Sequence, residues 1–366
     1  MVAKPLPLEE VMGLDPQAVQ ARIAAAREAL GEEVVILGHH YQREEVFRHA
    51  HHAGDSLKLA RRAAASRARH IVFCGVHFMA EVADILSRPD QVAILPDLAA
   101  GCSMADMASL AKVGRAWEEL EEVLGCADEQ VLPVTYINSA ADLKAFCGVH
   151  GGIVCTSSNA EQVLRWAWAR RPKVLFFPDQ HLGRNTAYRM GVPLEEMVVW
   201  DYDRPYGGLA PEQLRRARLI LWKGFCSVHQ MFRPEHVEAF KARHPEARVV
   251  AHPECSFEVC RLADFVGSTE AIIRYVAEGP PGRYLVGTEL NLVERLARRF
   301  APEGKQVHFM SPTVCLCSTM FRISPEHLLW TLENLLEGRV VNPIRVPPEV
   351  ARPARLALER MFQVSP

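Results

Sequence analysis

No apolar run in the sequence approaches the ~20 residues that a membrane-spanning helix requires. Charge of one sign is also missing. The chain carries 42 Lys and Arg against 44 Asp and Glu, a formal charge of -2 over 366 residues. That balance lacks the basic footprint that a phosphate backbone demands, so neither nucleic acid nor membrane is expected as a partner. The N-terminal stretch MVAKPLPLEEVMGLDP has acidic residues and prolines where a secretory signal would be apolar, and the expected location is cytoplasmic. Low-complexity segments are absent. With 49% hydrophobic and 23% charged residues, the composition excludes disordered and fibrous classes. A prior of ~150 residues per domain gives two or three domains, long enough to bury a core without staples.

What the chain does have is ten cysteines. In a reducing compartment, spaced cysteines point to metal, redox or catalytic chemistry rather than to disulfides.

The rest of the chain alternates short apolar strands with longer amphipathic helices. VVILG at 34–38, HIVFCG at 70–75 and QVAILPD at 91–97 read as strands, with a helix over Asp55–Ala65 between the first two. QVLPVTYIN at 130–138, the strand of GGIVCTSSNAEQVLRWA at 151–167 and KVLFFPDQH at 173–181 repeat the pattern. After residue 245 it returns in ARVVAHPECSFEVCRLA, DFVGSTEAIIRYVA, RYLVGTELNLVERLA and KQVHFMSP. Near-continuous apolar strands separated by helices indicate parallel sheets covered on both faces. The fold class is α/β, with three similar three-layer αβα domains. The expected domains are 1–108 with 318–366, which brings the C-terminal helices back to the first domain, then 109–225 and 226–317.

Several strands end in polar clusters before a helix: HHYQ at 39–42, YIN at 136–138 and HPE at 252–254. Others end in Thr156-Ser157 and Ser268-Thr269. Ligands of open α/β sheets bind beyond the carboxyl ends of strands, where helix N-termini offer free N–H groups. Any one Ser, Thr or Asn there reads most plainly as a helix N-cap. Their recurrence in three modules points to a shared site. His39, Tyr41 and His252 stand out from the residues alone, whereas His51 and His52 read as surface or helix residues. Glu254 at a helix start reads as a carboxylate favoured by the helix dipole.

Among the cysteines, Cys74 and Cys155 lie inside apolar strands, and Cys126 and Cys147 near helix ends. Buried cysteine commonly serves as a small hydrophobe, and these four read so. Cys102 in PDLAAGCSMAD, Cys226 in LILWKGFCSVH and Cys317 in SPTVCLCSTM occupy strand-end loops, one per module. Thiolates in such places are stabilised enough to bind metal. The spacing excludes a local zinc knuckle, whose paired ligands lie ~2–4 residues apart. Cys255 and Cys260 remain alternative ligands, although they share one module. One thiolate from each of three modules would hold a cubane cluster around a pseudo-threefold axis, leaving one iron without a cysteine.

The strings ILGHHYQ, GDSLKLA, IVFCGVHFMAE, LPDLAAGCSMAD, TYINSAADLKA, VCTSSNAE, FFPDQHLGRN, GFCSVHQMF, AHPEC, VGSTE, VGTELNLVERL and the CSTM segment run in order from residue 34 to about 335. In that order they resemble the quinolinate synthase family, the iron–sulfur quinolinate synthetase A proteins. The resemblance implies three α/β domains around a central cavity and a [4Fe–4S] cluster on Cys102, Cys226 and Cys317. It implies condensation of iminoaspartate with dihydroxyacetone phosphate to quinolinate, phosphate and two waters in NAD biosynthesis. A functional link to an L-aspartate oxidase follows from the first substrate. By the same resemblance His39, Tyr41, Ser56, Tyr136, Asn138, Ser157, His229, His252, Glu254, Ser268 and Thr269 line the cavity. Among them His39, Tyr41, Tyr136, His252 and Glu254 are the catalytic candidates, and the hydroxyls and Asn138 suit carboxylate or phosphate anchoring. The open iron would act as a Lewis acid toward a leaving hydroxyl. The alternative is an iron–sulfur hydro-lyase acting on a small hydroxy acid. Three departures from the family pattern stand out. His40 takes the place of a usual Tyr. The loop FCGVHGG at 146–152 is about a turn longer. Cys315 lies two residues before Cys317.

Overall fold

The computed structural model describes residues 6–314 and 316–365. In chain order the strands are β1 (Val34–His39), β2 (His52–Gly54), β3 (His70–Cys74), β4 (Val92–Ile94), β5 (Val131–Tyr136), β6 (Ile153–Cys155) and β7 (Lys173–Phe177). Then follow β8 (Met197–Trp200), β9 (Leu219–Trp222), β10 (Arg248–Ala251), β11 (Phe265–Val266), β12 (Gly282–Gly287), β13 (Lys305–Phe309) and β14 (Pro343–Ile344). They form three sheets, ordered β14-β4-β3-β1-β2, β6-β5-β7-β9-β8 and β11-β10-β12-β13. The pairings are parallel except for β14 on β4. The protein is therefore α/β, with three mostly parallel sheets flanked by helices.

The apolar runs form these strands because both sheet faces are covered. Every residue of β1, β5 and β7 is buried, so alternation of polar and apolar residues is lost. Three strands escape the sequence pattern. β8 is a four-residue run, β14 is a two-residue edge strand containing a proline, and β2 begins at His52. His51 and His52 thus lie at a strand rather than on a helix, and His51 Nδ1 accepts from the Ile36 N–H at 2.9 Å.

The chain forms two compact units. Met1–Cys102 with Leu316–Val346 holds the first sheet, and Ser103–Cys315 with Pro347–Pro366 holds the second and third. In the first unit the helix Pro325–Leu336 packs on Pro16–Leu30, and Arg22 pairs with Glu333 at 2.7 Å. In the second, the helix Pro348–Val364 packs along the helix Ala141–Val149 and against β6, the edge of its sheet. The crossing is so close that a Cβ on Gly148 would lie 1.9 Å from the Pro353 carbonyl oxygen. Arg360 Nη1 donates to the Gly152 carbonyl at 2.6 Å, and Asn159 Nδ2 donates to Ser365 Oγ at 2.9 Å. The third sheet buries Val249, Ala251 and Leu285 against Phe232, Val237, Val259 and Met310, with Cys255 inside that cluster.

Candidate active site

In the second unit, the carboxyl ends of β5, β9 and β10 bring their polar residues together. Tyr136 ends β5, and its hydroxyl donates to Glu254 Oε1 at 2.6 Å. His229 follows β9 in a short 3-10 turn, and its Nδ1 lies 2.9 Å from Glu254 Oε2. The His229 and His252 rings stack with centroids 4.7 Å apart. Cys226 Sγ, a His229 ring nitrogen and a Glu254 oxygen all fall within 4.8 Å of one another. These are donors that transition metals accept.

Local structure explains why they converge. Asp179, just after β7, bridges Gly224 in parallel, which steers the loop toward Cys226. Gly224 is required there, because a Cβ would meet the Pro178 carbonyl oxygen at 2.2 Å. The turn after Tyr136 is pinned by Ser139 Oγ, which donates to the Tyr136 carbonyl at 2.8 Å and accepts from Thr135 Oγ1 at 2.9 Å. The fully buried Lys144 donates to the Ser139 carbonyl from below.

Burial alone would raise the Glu254 carboxyl. The adjacent His229 and His252 and the bonds from His229 and Tyr136 override it and hold the group below the usual carboxylate range. His252 is pushed down to about 3 by burial, so its ring is neutral near pH 7. The Glu254 N–H donates to His252 Nδ1 at 3.3 Å, which leaves the proton of the neutral ring on Nε2. Glu254 therefore does not cap the next helix. Ser256 does, accepting from the Val259 N–H at 3.3 Å. An ionised carboxylate between a phenol and two imidazoles is suited to taking and returning protons.

Asn138 lies two residues beyond Tyr136, and its Oδ1 is buried without a hydrogen-bond partner. An orphaned polar atom of this kind suits a bound ligand. Ser157 is half-buried in the turn after β6, where Thr156 N–H and Oγ1 both donate to Asn159 Oδ1. Ser268 is buried and acts as an N-cap, accepting from the Ala271 N–H at 3.4 Å, and Thr269 opens that helix.

The remaining candidates belong to the first unit. His39 ends β1, is buried, and accepts from the Tyr41 N–H at 3.1 Å through Nδ1. The two rings meet edge to face at 4.7 Å. Ser56 is the first residue of its helix and half-buried, while Asp55 caps it by accepting from the Lys58 N–H at 3.0 Å. Cys102 and Cys317 lie in half-buried loops of this unit, with Cys317 Sγ 3.5 Å from Thr319 Oγ1. Cys315 lies outside the described residues.

Burial sorts the described cysteines. Cys74, Cys147, Cys155 and Cys255 are fully buried, and burial raises their thiols, Cys74 to about 12. Cys260 is pushed up to about 12 by the same cause. Such thiols stay protonated and pack as hydrophobes. Cys126 is half-buried but precedes β5, on the amino-terminal side of the strand, opposite the carboxyl end where Tyr136 lies. Half-buried strand-end thiols are left at Cys102, Cys226 and Cys317. That donor chemistry fits an iron–sulfur group.

Several polar residues escaped the sequence reading. Asp179 is fully buried, and burial followed by the charge of Glu254 raises its carboxyl well above the ordinary value. His181, two residues on, is pushed down to about 4 by burial and by Arg184. Thr288 and Glu289 are buried directly after β12. The signal was present in FFPDQHLGRN and VGTELNLVERL, which carry a polar residue at a strand end like the others.

Among the described residues no helix is long and apolar enough to cross a membrane. A family model described as quinolinate synthetase A protein matches residues 21–363. A relative from Acidobacterium capsulatum named quinolinate synthase is 57% identical over 98% of this chain and 96% of its own. Another of that name from Herpetosiphon aurantiacus is 54% identical over 98% and 95%, and one from Streptomyces coelicolor 57% identical over 95% and 88%. With the match running through every strand end described above, the chain belongs to the quinolinate synthetase A family of enzymes.

Proposed function

We propose that the protein condenses iminoaspartate with dihydroxyacetone phosphate, releasing quinolinate, phosphate and two waters in de novo NAD biosynthesis. The observation that carries this reading is the Tyr136–Glu254–His229 cluster beside Cys226, joined by the stacked His252. The three sheets with their helices are the three domains, and one cysteine follows a strand of each sheet: Cys102 comes after β4, Cys226 after β9 and Cys317 after β13. Cys102, Cys226 and Cys317 would hold a [4Fe–4S] cluster, and Cys315 is not needed for it. When bound, the cluster supplies a Lewis acid at the iron that no cysteine ligates.

The chain's own residues carry the rest. Asn138, with its unmatched Oδ1, anchors a substrate carboxyl together with Ser157, Ser268 and Thr269. Ser56 joins them in anchoring, and His39 and His229 hold the phosphate or assist its departure. Glu254 accepts a proton as the keto group isomerises to an aldehyde and returns it at ring closure, with Tyr136 relaying at 2.6 Å. The neutral His252 donates from Nε2, and Tyr41 is a second proton carrier. A functional link to an L-aspartate oxidase and a cytoplasmic setting follow from the instability of iminoaspartate and the oxygen sensitivity of such a cluster.

The test is an anaerobic quinolinate assay with metal and sulfide analysis on one sample. Quinolinate formation with about four irons per chain is expected, the content of one cubane cluster. A sample holding zinc and no sulfide, or one with the cluster but no pyridine dicarboxylate, would overturn the reading. The second result would favour the hydro-lyase alternative.

A further inference from the structure

Glu254 does not set its own position. Asn185 sits on the helix Gln180–Arg189, which follows β7 of the second sheet. Its Nδ2 donates to the Pro253 carbonyl at 2.9 Å and to the Cys255 carbonyl at 2.9 Å. One amide thus grips the backbone on both sides of Glu254. Asn185 is buried, and the same nitrogen lies 3.2 Å from Cys260 Sγ. Both carbonyls can only accept, so the orientation of the amide is fixed by its partners.

The grip closes a mechanical loop. Thr135, next to Tyr136, pairs with Phe177 at the end of β7. Two residues on, Asp179 Oδ1 accepts from the Leu182 N–H at 2.6 Å and seats the helix that carries Asn185. Asn185 then holds the turn of Glu254, and Glu254 meets Tyr136. The second sheet therefore fixes both ends of the Tyr136–Glu254 bond, although Glu254 belongs to the third sheet.

A second observation points the same way. Asn185 Oδ1 is buried with no hydrogen-bond partner. A buried orphan oxygen is unfavourable and calls for an explanation. Here the side chain must offer two N–H donors to two carbonyls, and the oxygen is left over. An apolar residue of equal size would fill the space without that penalty, but it would take the amide donor from both carbonyls, and the Cys255 carbonyl would keep the weak Cys260 thiol donor at 3.7 Å.

We propose that Asn185 is a positioning residue that acts through Glu254, holding its carboxylate in register with Tyr136 and His229. The proposal rests on the catalytic reading of Glu254 given above. Displacing a reacting group by about 1 Å costs about a hundredfold in rate, and loosening this turn allows such a displacement.

The experiment uses anaerobically purified holoenzyme carrying Asn185→Leu, which keeps the volume and removes the donors, with Asn185→Ala as the second variant should Asn185→Leu not fold. Each is made alone and with Glu254→Gln. The expected result is wild-type iron content, a kcat for quinolinate lowered by about 10- to 100-fold and little change in KM. In the Glu254→Gln background, followed in long incubations, the same substitution should change the residual rate less than about twofold. Hydrogen exchange of a peptide spanning residues 250–258 should quicken in the variants. An unchanged kcat overturns the proposal, and so does an equal loss with and without Glu254, because a general structural defect would add. Loss of iron in both variants also overturns it. If the wild type forms no quinolinate, the functional reading fails, and the exchange measurement decides on the clamp by itself. The same measurement decides if Glu254→Gln has no detectable rate. In either case unaltered exchange rules the clamp out, and faster exchange supports it.

Discussion

The hydroxyl of Tyr136 and the carboxylate of Glu254 lie 2.6 Å apart, so one short bond joins the end of β5 to the loop after β10. Charge-assisted bonds of this length are about twice as strong as neutral ones. Tyr136→Phe should leave a buried carboxylate oxygen unmatched and lower stability by about 1–3 kcal/mol. It should also lower kcat for quinolinate by about a hundredfold, at the low end of general acid–base effects. Urea unfolding and a quinolinate assay check both, and a variant that matches the wild type in both would remove Tyr136 from the proton path.

Iron content should separate the cysteines. Replacing Cys102, Cys226 or Cys317 by Ser is expected to abolish cluster binding, whereas Cys260→Ser and Cys315→Ser should keep about four irons per chain. Cys260 is held protonated by burial, with its thiol at about 12, which is why it is expected to be dispensable. The loaded protein should also lose iron and activity in air, since an iron without a thiolate is readily oxidised. A full cluster in the Cys317 variant, or stable aerobic turnover, would contradict this assignment.

Stability should depend on pH through two opposed buried groups. Burial and Arg184 push folded His181 down to about 4, whereas an unfolded histidine titrates near about 6.5. Between those values the unfolded chain binds a proton that the folded chain does not, so stability falls as pH drops through the window. Asp179 works in reverse. Its folded carboxyl is raised by burial and by Glu254, so its contribution is present below about 4 and is lost as pH rises above it. Unfolding midpoints between pH 4 and 7 should therefore rise less steeply for His181→Gln than for the wild type, and more steeply for Asp179→Asn. Parallel curves for all three would mean that neither group is held as described.

Gly148→Ala should destabilise the second unit. Its new methyl group would fall 1.9 Å from the Pro353 carbonyl oxygen, so the helices Ala141–Val149 and Pro348–Val364 must separate. Overpacking of this kind costs about 1–3 kcal/mol or more. Thermal unfolding of the variant measures it, and an unshifted midpoint would mean that the crossing is looser than its backbone distance implies.

The sequence made most of the sheets legible because their strands are buried on both faces. VVILG and HIVFCG form β1 and β3 within a residue of expectation, whereas the strand expected over 173–181 ends at Phe177, because Asp179 already caps the helix Gln180–Arg189. β14 was not legible, since two residues at a sheet edge have no periodicity to read. The site was half legible. From the residues alone His39, Tyr41 and His252 stand out, as polar residues that the topology places at strand ends, whereas Tyr136 and Glu254 enter the candidate set only through the family resemblance. Asn185 and Asp179 were not singled out, because their importance comes from carbonyls and carboxylates tens of residues away. The plain reading of Glu254 as a helix cap fails for a local reason: Ser256 takes that place and frees the carboxylate to face Tyr136.

The helix Pro348–Val364 lies against β6, and Arg360 reaches the Gly152 carbonyl beside it. β6 is an edge strand whose three residues are all buried. An edge strand left bare is a template for pairing with another chain. Its guard is encoded nearly two hundred residues later, so during synthesis the second sheet waits, with a sticky margin, until the ribosome has delivered that helix. Truncation anywhere before residue 348 should therefore show itself first as aggregation through β6, well before any question of catalysis arises.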